Sequence, residues 1–235
     1  MLLFIGLAAS AITLTSPDTS IRWQVSTDGA QYSVSRKGET IVAPSALGLT
    51  LSKAAPFSPF STVKIRRESR SETYRLIATK AASERVTYNQ LVVTYHETSG
   101  LRRQISLQVR AYNDGIAFRY ILPHGAPSAI KGEATEFLFP NDASCEISEL
   151  NGSHEVNWSR QKVSQLTAGK LYDVPAVCES ESGRTHFAIA QSDLVGYTCS
   201  SLTPDGYGLK SISPHFQIIR MSRYGPPTGL PAPGA

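Results

Sequence analysis

The sequence predicts an all-β protein, and three observations support that fold class. First, apolar and polar residues alternate with a period of two over many short segments of the 235-residue chain, which is the pattern of half-buried strands. Second, clusters of Gly, Pro, Asn and Asp that favour turns lie between those segments. Third, no amphipathic helix longer than about ten residues is evident. Many short strands separated by turns are typical of a sandwich or a barrel.

The length and composition fit one large β domain. The residues are 41% hydrophobic and the formal net charge is +4, which excludes a disordered or collagen-like chain. A chain of this length buries about 70% of its unfolded surface, enough for a sizeable core. A (β/α)8 barrel needs about 250 residues by itself, so little of the chain is left to build one. The positive charges are spread along the sequence, which argues against nucleic acid as a partner.

The clearest predicted strands are residues 103–111 and 116–122. Apolar side chains occupy the odd positions from 105 to 111 of the first segment and the even positions of the second. Asp114 and Gly115 lie between them, and Asp-Gly favours a hairpin turn because both residues tolerate a positive φ. We therefore expect these two strands to pair antiparallel.

The other predicted strands are shorter, and each is bounded by turn residues. They are residues 21–25, 31–36, 63–67, 73–77, 91–95, 185–190, 209–212 and 216–221. Turns are predicted at 27–29, 36–38, 182–183 and 204–206, where Gly follows Asp, Lys or Ser. Residues 151–166 show no clear period and are compatible with a strand, a loop or a short helix.

Both ends of the chain differ in composition from the rest. Residues 2–12 are apolar except for Ser10, and Ala9-Ser10-Ala11 has the small-x-small form of a signal-peptidase site. This predicts a signal-peptide-like segment at 1–14 and a secreted or periplasmic protein, although the segment lacks an initial Lys or Arg. A ragged apolar N-terminus and an edge strand are the alternatives. No stretch resembles a membrane span, and residues 223–235 form a Pro/Gly-rich tail.

The three cysteines are Cys145, Cys178 and Cys199. Their wide separation includes no pattern typical of a zinc site. We interpret them as small buried hydrophobic residues. In an exported protein, one disulfide and one free thiol are the alternative.

The common catalytic motifs for nucleophilic, phosphate-binding or zinc chemistry do not occur in the sequence. The five histidines are far apart and are interpreted as structural: His96, His124, His154, His186 and His215. Glu133 and Glu136 are close enough for a glycosidase-type carboxylate pair, but we interpret them as solvated or turn-stabilising. Five aromatic residues could stack on sugar rings, although core packing is the simpler interpretation: Trp23, Tyr32, Trp158, Tyr172 and Tyr197.

The order of several short motifs resembles the N-terminal domain of glycoside hydrolase family 97. The longest match is residues 110–120, RAYNDGIAFRY, where the family reads RAYDDGVAFRY. The others are Ser16-Pro17-Asp18, Tyr32-Ser33-Val34-Ser35, Ser45-Ala46-Leu47-Gly48-Leu49, Tyr88-Asn89-Gln90-Leu91, Glu133-Ala134-Thr135-Glu136-Phe137 and residues 189–197, IAQSDLVGY. The resemblance covers residues 15–221 and gives a domain at 15–222.

The resemblance implies a β-supersandwich related to the galactose-mutarotase fold, with mostly antiparallel strands. In full-length members this domain packs against a (β/α)8 barrel that hydrolyses α-glucosides or α-galactosides and supplies the catalytic carboxylates. The resemblance therefore assigns this chain no catalytic residue, and it identifies no carbohydrate-binding residue. A calcium ligand of the family, a glutamate, corresponds to Gln191 here. Calcium prefers carboxylate oxygens, so we expect weaker calcium binding at Gln191.

The sequence departs from the family again after Ser213-Pro214. Two origins fit this departure: a truncated gene product, or a natural stand-alone domain with a short linker. The downstream DNA would distinguish these two origins. A (β/α)8 catalytic barrel in a separate chain is the candidate protein partner.

Three functions follow from these observations. The first is a carbohydrate-binding accessory domain of an α-glucosidase or α-galactosidase without its barrel, which does not act as an enzyme alone. The second is an autonomous mutarotase-like enzyme with a His/Glu pair on a concave sheet face. The third is an exported structural or interaction domain.

Overall fold

The computed structural model describes residues 11–51, 60–77, 80–123, 130–151, 155–192 and 198–212. Within these residues the only helical element is a single 3-10 turn, Val163–Gln165, and the rest is strand, turn and loop. The all-β class predicted from the sequence is confirmed. No helix in the described part of the chain is long and apolar enough to cross a bilayer.

The first half of the chain forms nine strands. They are β1 (Ala11–Thr15), β2 (Ile21–Ser26), β3 (Gln31–Arg36), β4 (Glu39–Ala46), β5 (Leu49–Leu51), β6 (Phe60–Arg75), β7 (Ser83–Glu97), β8 (Gln104–Ala111) and β9 (Ile116–Ile121). Two four-stranded antiparallel sheets result, with the orders β1-β2-β3-β4 and β6-β7-β8-β9.

The second half forms eight shorter strands. They are β10 (Ile130–Glu133), β11 (Glu136–Leu138), β12 (Ser144–Ile147), β13 (Ser159–Lys162), β14 (Ala176–Glu179), β15 (His186–Ile189), β16 (Ser201–Asp205) and β17 (Gly208–Ile212). Three more antiparallel sheets result, with the orders β13-β12-β14-β15, β11-β17-β16 and β10-β5.

The first core lies between the two large sheets. The inward residues of β1–β4 and of β7–β8 form one cluster of buried side chains, with the fully buried Trp23, Leu91, Val93 and Val109 at its centre. Residues of β8 alternate between this core and the opposite face, as the period of two predicts. The two sheets therefore form a sandwich.

The second core is smaller and lies under the short strands of the second half. Its centre consists of Cys145, Ile147, Cys178, Leu202 and Leu209. Cys145 and Cys178 form a disulfide on neighbouring strands β12 and β14, and Cys199 is an exposed free thiol. The interpretation of all three cysteines as small hydrophobic residues is therefore wrong, and the disulfide alternative is confirmed. Sequence spacing alone does not determine which strands pair, and so it could not show that these thiols meet.

Side chains from β11 and β15 join the two cores. Phe137 and Phe187 pack against both clusters. The hydroxyl of Tyr32 donates to the carbonyl oxygen of Glu136 at 2.7 Å, and the Leu138 N–H donates to Ser45 Oγ at 2.9 Å. The two cores consequently pack as one body.

The predicted hairpin between β8 and β9 is confirmed, but for a different physical reason. The Tyr112 N–H donates to the Gly115 carbonyl oxygen at 2.8 Å, yet neither Asp114 nor Gly115 has a positive φ. The Asn113 side chain instead accepts from the Asp18 N–H at 3.0 Å. The turn is held by a contact with the β1–β2 loop that local sequence does not reveal.

The predicted signal-peptide-like segment at residues 1–14 overlaps strand β1. Residues 11–14 of the signal-peptide-like segment form most of this strand, and Ile12 and Leu14 are buried in the first core. β1 is an edge strand of its sheet, which is one of the two alternatives that the sequence left open. Residues 1–10 lie outside the described residues, as do the strand expected at 216–221 and the tail at 223–235.

Candidate functional site

A cleft of about 350 Å³ lies between the two cores. Its lining comes from the start of β4, the β11–β12 connection, the β14–β15 turn and β15. The lining residues are Glu39, Thr40, Ile41, Phe139, Pro140, Asn141, Ala143, Ser180, Glu181, Ser182 and Phe187. This volume lies in the range of small-molecule sites.

A carboxylate held by hydroxyl groups forms one wall of the cleft. The hydroxyls of Ser182 and Thr185 donate to the two oxygens of Glu39 at 2.5 and 2.8 Å. Hydrogen bonds from Ser182, then Thr185 and Ser180, lower the pKa of Glu39 below its ordinary value. The Glu39 side chain is thus ionised and fixed in orientation at neutral pH.

The β14–β15 turn has the geometry that brings Ser182 to Glu39. The Gly183 N–H donates to the Ser180 carbonyl oxygen at 2.8 Å, and Gly183 has φ +67°. Residues with a side chain rarely adopt that conformation, which explains the glycine at this position. The turn predicted at 182–183 is therefore confirmed, and it positions the hydroxyl groups of the cleft.

The floor of the cleft is aromatic. Phe139 and Phe187 pack edge to face with ring centroids 5.2 Å apart, and Phe187 is only partly buried. Thr40 and Asn141 are exposed at the mouth. An apolar ring surface beside a carboxylate, an amide and hydroxyl groups can bind a small polyhydroxylated molecule, because such a ligand has both apolar C–H faces and hydrogen-bonding groups.

Beside the cleft the structure brings together a His/Glu pair that the sequence did not mark. His186 Nε2 lies 3.8 Å from Glu179 Oε1, with side chains 68% and 26% exposed. Arg160 also pairs with Glu179. Because strand residues alternate, Glu179 and His186 project from the face opposite to the buried Cys178. The pair therefore lies outside the cleft.

Glu133 and Glu136 have structural contacts. Glu136 accepts from the Ala46 N–H at 3.1 Å, and its other oxygen lies 3.5 Å from Lys210 Nζ. Glu133 accepts from the Thr135 hydroxyl. Glu136 thus ties β11 to β4 and β17, whereas the bond from Thr135 to Glu133 lies within the β10–β11 connection. Both agree with the turn-stabilising interpretation.

Gln191 has both ends of its amide bonded to the backbone. Its Nε2 donates to the Thr198 carbonyl oxygen at 3.0 Å, and its Oε1 accepts from the Ser200 N–H at 2.6 Å. Among the described residues no group of three or more His, Cys, Asp or Glu side chains converges as a metal site would. The Gln191 carbonyl oxygen thus already uses one of its two lone pairs within the protein.

The remaining aromatic residues and histidines singled out from the sequence differ in their burial and contacts. Trp23, Tyr32 and Tyr172 are buried core residues, as the simpler interpretation predicted, whereas Trp158 is 42% exposed. His96 bonds Gln104 across strands at 2.8 Å. His124, His154, His215 and Tyr197 lie outside the described residues.

Sequence reasoning missed the residues that form the cleft. Glu39, Phe139 and Phe187 come from segments separated by up to about 150 positions, and each resembles an ordinary strand or turn residue. The only local signal was the predicted turn at 182–183. Nothing local linked that turn to Glu39, because the contact depends on how the two cores pack.

Comparison with known proteins agrees with this architecture. The family model described as Glycosyl-hydrolase 97 N-terminal matches residues 14–225. A retaining alpha-galactosidase of Bacteroides thetaiotaomicron is 25% identical over 206 residues, which is 81% of this chain and 30% of that protein. A probable retaining alpha-galactosidase of Streptomyces bingchenggensis is 28% identical over 182 residues, covering 77% of this chain and 28% of the relative.

Solved structures show the same fold. A variant of a Glycoside Hydrolase Family 97 enzyme from Pseudoalteromonas sp. strain K8 superposes with a TM-score of 0.78 and 25% identity, over 86% of this chain and 31% of that one. A beta-arabinopyranosidase has a TM-score of 0.76 and 19% identity, over 86% of this chain and 35% of that one. The chain thus spans about a third of the length of these proteins. It belongs to the glycosyl-hydrolase 97 N-terminal family.

Proposed function

We propose that this domain binds carbohydrate in the cleft between its two cores and does not cleave glycosidic bonds by itself. The observation that carries the proposal is the combination of the fixed, ionised Glu39 with the aromatic floor of Phe139 and Phe187. The named activities of the relatives make α-galactosides the first ligands to test.

Titration calorimetry with galactose, melibiose and maltose tests the proposal. Glu39→Gln should weaken binding at least about tenfold, because a hydrogen bond to a charged group contributes roughly 1.5 to 3 kcal/mol. Glu181→Gln is the matched control, since it removes a charge from the same cleft and keeps the bonds to Glu39. Absence of sugar binding, or equal losses in both variants, would contradict the proposed site. Hydrolysis of p-nitrophenyl α-galactoside by the isolated chain would contradict the non-catalytic role.

A mutarotase-like activity is the second candidate, because His186 and Glu179 offer an acid and a base 3.8 Å apart. Two features weigh against it. Arg160 already pairs with Glu179, and the pair projects away from the aromatic floor. Polarimetry of fresh α-galactose separates the candidates. We expect no acceleration of anomer exchange, and an acceleration that His186→Gln abolishes would establish the enzyme instead.

The family resemblance implies calcium as a cofactor. We propose that this domain, in the absence of a barrel, binds calcium only weakly. Gln191 supplies a neutral oxygen that already accepts a backbone N–H. Isothermal titration with calcium chloride should show no binding tighter than the millimolar range typical of weak modules. Gln191→Glu should strengthen it if a carboxylate is what the site lacks.

We further propose that the protein is exported and that it has a barrel as its protein partner. The Cys145–Cys178 disulfide is the bond expected of an extracellular or periplasmic protein. We propose that a family 97 barrel, in the same or another chain, packs against this domain. Co-purification with the barrel of a relative, expressed separately, tests association in trans.

A further inference from the structure

The outer face of the sheet β6-β7-β8-β9 is polar and basic. We call it the polar face and define it by the cross-strand rows Lys64-Thr94-Ser106-Ile121, Arg66-Val92-Gln108-Arg119, Glu68-Gln90-Arg110-Ala117 and Arg70-Tyr88. It carries five cations and one carboxylate, and Glu72 adds a second carboxylate from the next row. The excess of three positive charges compares with a net charge of +4 for the whole chain. Cations that are scattered in the sequence thus meet on one surface.

A buried glutamine organises the centre of the polar face. Gln90 is only 3% exposed. Its Oε1 accepts from Gln108 Nε2 and from Arg110 Nε, both at 2.9 Å, and its Nε2 donates to Glu68. Both lone pairs of the amide oxygen are therefore used. Because Gln90 is buried, its amide must be bonded within the protein, and these bonds also fix Gln108 and Arg110.

Two more contacts fix the arginines. The Arg110 guanidinium lies 4.5 Å from the ring centroid of Tyr88, a residue that is fully buried on this outer face. Arg119 Nε donates to Gln108 Oε1 at 2.7 Å. These contacts leave other N–H groups of each guanidinium for a ligand, since arginine has five. Arg110 and Arg119 are consequently held in place before any ligand arrives. Arg66 Nη2 lies 3.4 Å from Glu68 Oε1, and Arg70 pairs with the other oxygen of the same carboxylate.

The composition of the polar face indicates the class of ligand. The centre of this face consists of polar side chains, Gln90, Gln108 and Arg110, that are bonded to one another. Arg66 and Arg119 are on the two outer strands of four, about 14 Å apart at the usual strand spacing. One guanidinium group can donate two parallel hydrogen bonds to the oxygens of a carboxylate or sulfate. An extended molecule with repeated anionic groups meets these requirements, and a single small anion does not.

We propose that the polar face binds an extended anionic polysaccharide, whose carboxylate or sulfate groups bond to Arg66, Arg110 and Arg119. The cleft contains no residue of β6–β9, so this second site is independent of the function proposed above. A sugar-binding cleft and an anion-binding face would together hold the domain on an acidic glycan.

Affinity electrophoresis and calorimetry with polygalacturonate test this proposal, and fully methyl-esterified polygalacturonate is the uncharged control. We expect the full chain to bind the acidic polymer and not the ester, with an affinity that falls as salt rises. Arg119→Gln and Arg66→Gln should each weaken binding at least about fivefold, because each loses a charge-assisted hydrogen bond. Arg22→Gln, which removes an exposed arginine from the sheet on the other side of the sandwich, should have little effect.

Three outcomes would overturn the proposal. Equal binding of the ester would show that charge is not recognised. An equal loss in Arg22→Gln would show that only the net charge of the chain matters. Equal affinity for duplex DNA at the same salt concentration would show that the face selects any polyanion and not a glycan. Because Arg66 and Arg119 are exposed, their variants should keep the fold, which melting temperature would verify.

Discussion

The two cores of this domain are stabilised in different ways. The first is large, lies between two four-stranded sheets and contains strands of up to 16 residues. The second is built from strands of three to five residues and contains the only disulfide that the described part of the chain shows. Short strands bury little apolar area each, so a covalent link adds most where the core is small. The cleft opens where these two cores meet.

The largest expected effect lies in the first core. Trp23 is fully buried, and its indole N–H has no hydrogen-bond partner among the described residues. Trp23→Ala should lower the free energy of unfolding by about 4 to 5 kcal/mol in urea titrations, because it leaves a large cavity. Trp23→Phe should cost less than half as much, since it keeps much of the ring and removes an unsatisfied donor. Equal losses would show that the cavity is not the cause.

The second largest loss of stability is expected on removal of the disulfide in the smaller core. Cys145→Ala with Cys178→Ala should lower the free energy of unfolding by about 3 to 4 kcal/mol, because the bond closes a loop between residues 33 positions apart. Cys199→Ser is the control and should change it by less than about 0.5 kcal/mol, since that thiol is exposed. A negligible loss in the double variant would mean that the second core is stable without its covalent link.

The smallest expected change in stability concerns Glu39, which lies at the boundary between the two cores. Because the pKa of Glu39 is lower in the folded chain than its ordinary value of 4.5, its carboxylate stabilises the fold above that pH. This contribution is lost as the pH falls through the folded pKa. The stability gap between the wild type and Glu39→Gln should therefore be wider at pH 6 than at pH 3.

Chemical unfolding at a series of pH values measures this gap. Glu181→Gln controls for the loss of a negative charge from the cleft. A gap of constant size between pH 6 and pH 3 would show that the hydroxyl bonds to Glu39 do not favour its charged form.

The strands of the first core could be predicted from the sequence because they are long enough to show a period. β8 and β9 were predicted nearly to their ends. Residues 63–67 and the first three residues of the predicted strand 73–77 belong to β6, which ends at Arg75. The short strands of the second core could not be predicted in this way. β13, for example, reads SRQK and has no apolar alternation. Three or four residues do not define a period.

The sites could not be predicted at all from local patterns. The cleft depends on the packing of Glu39 against a turn more than 140 residues later, and the polar face depends on the register of four strands. The Gln90 position illustrates the limit. In the sequence it is a polar residue of an alternating strand, and only the fold shows it buried under three bonded neighbours.

The central claim is that this family 97 N-terminal domain binds sugar between its two cores. Nuclear magnetic resonance titration of the isotope-labelled chain with melibiose tests it most directly. We expect amide shift changes concentrated at residues 39–41, 139–143 and 180–187, the segments that line the cleft. We also expect that Glu39→Gln abolishes most of them at the same melibiose concentration. Shift changes that are absent, or that fall only on the polar face, would contradict the claim.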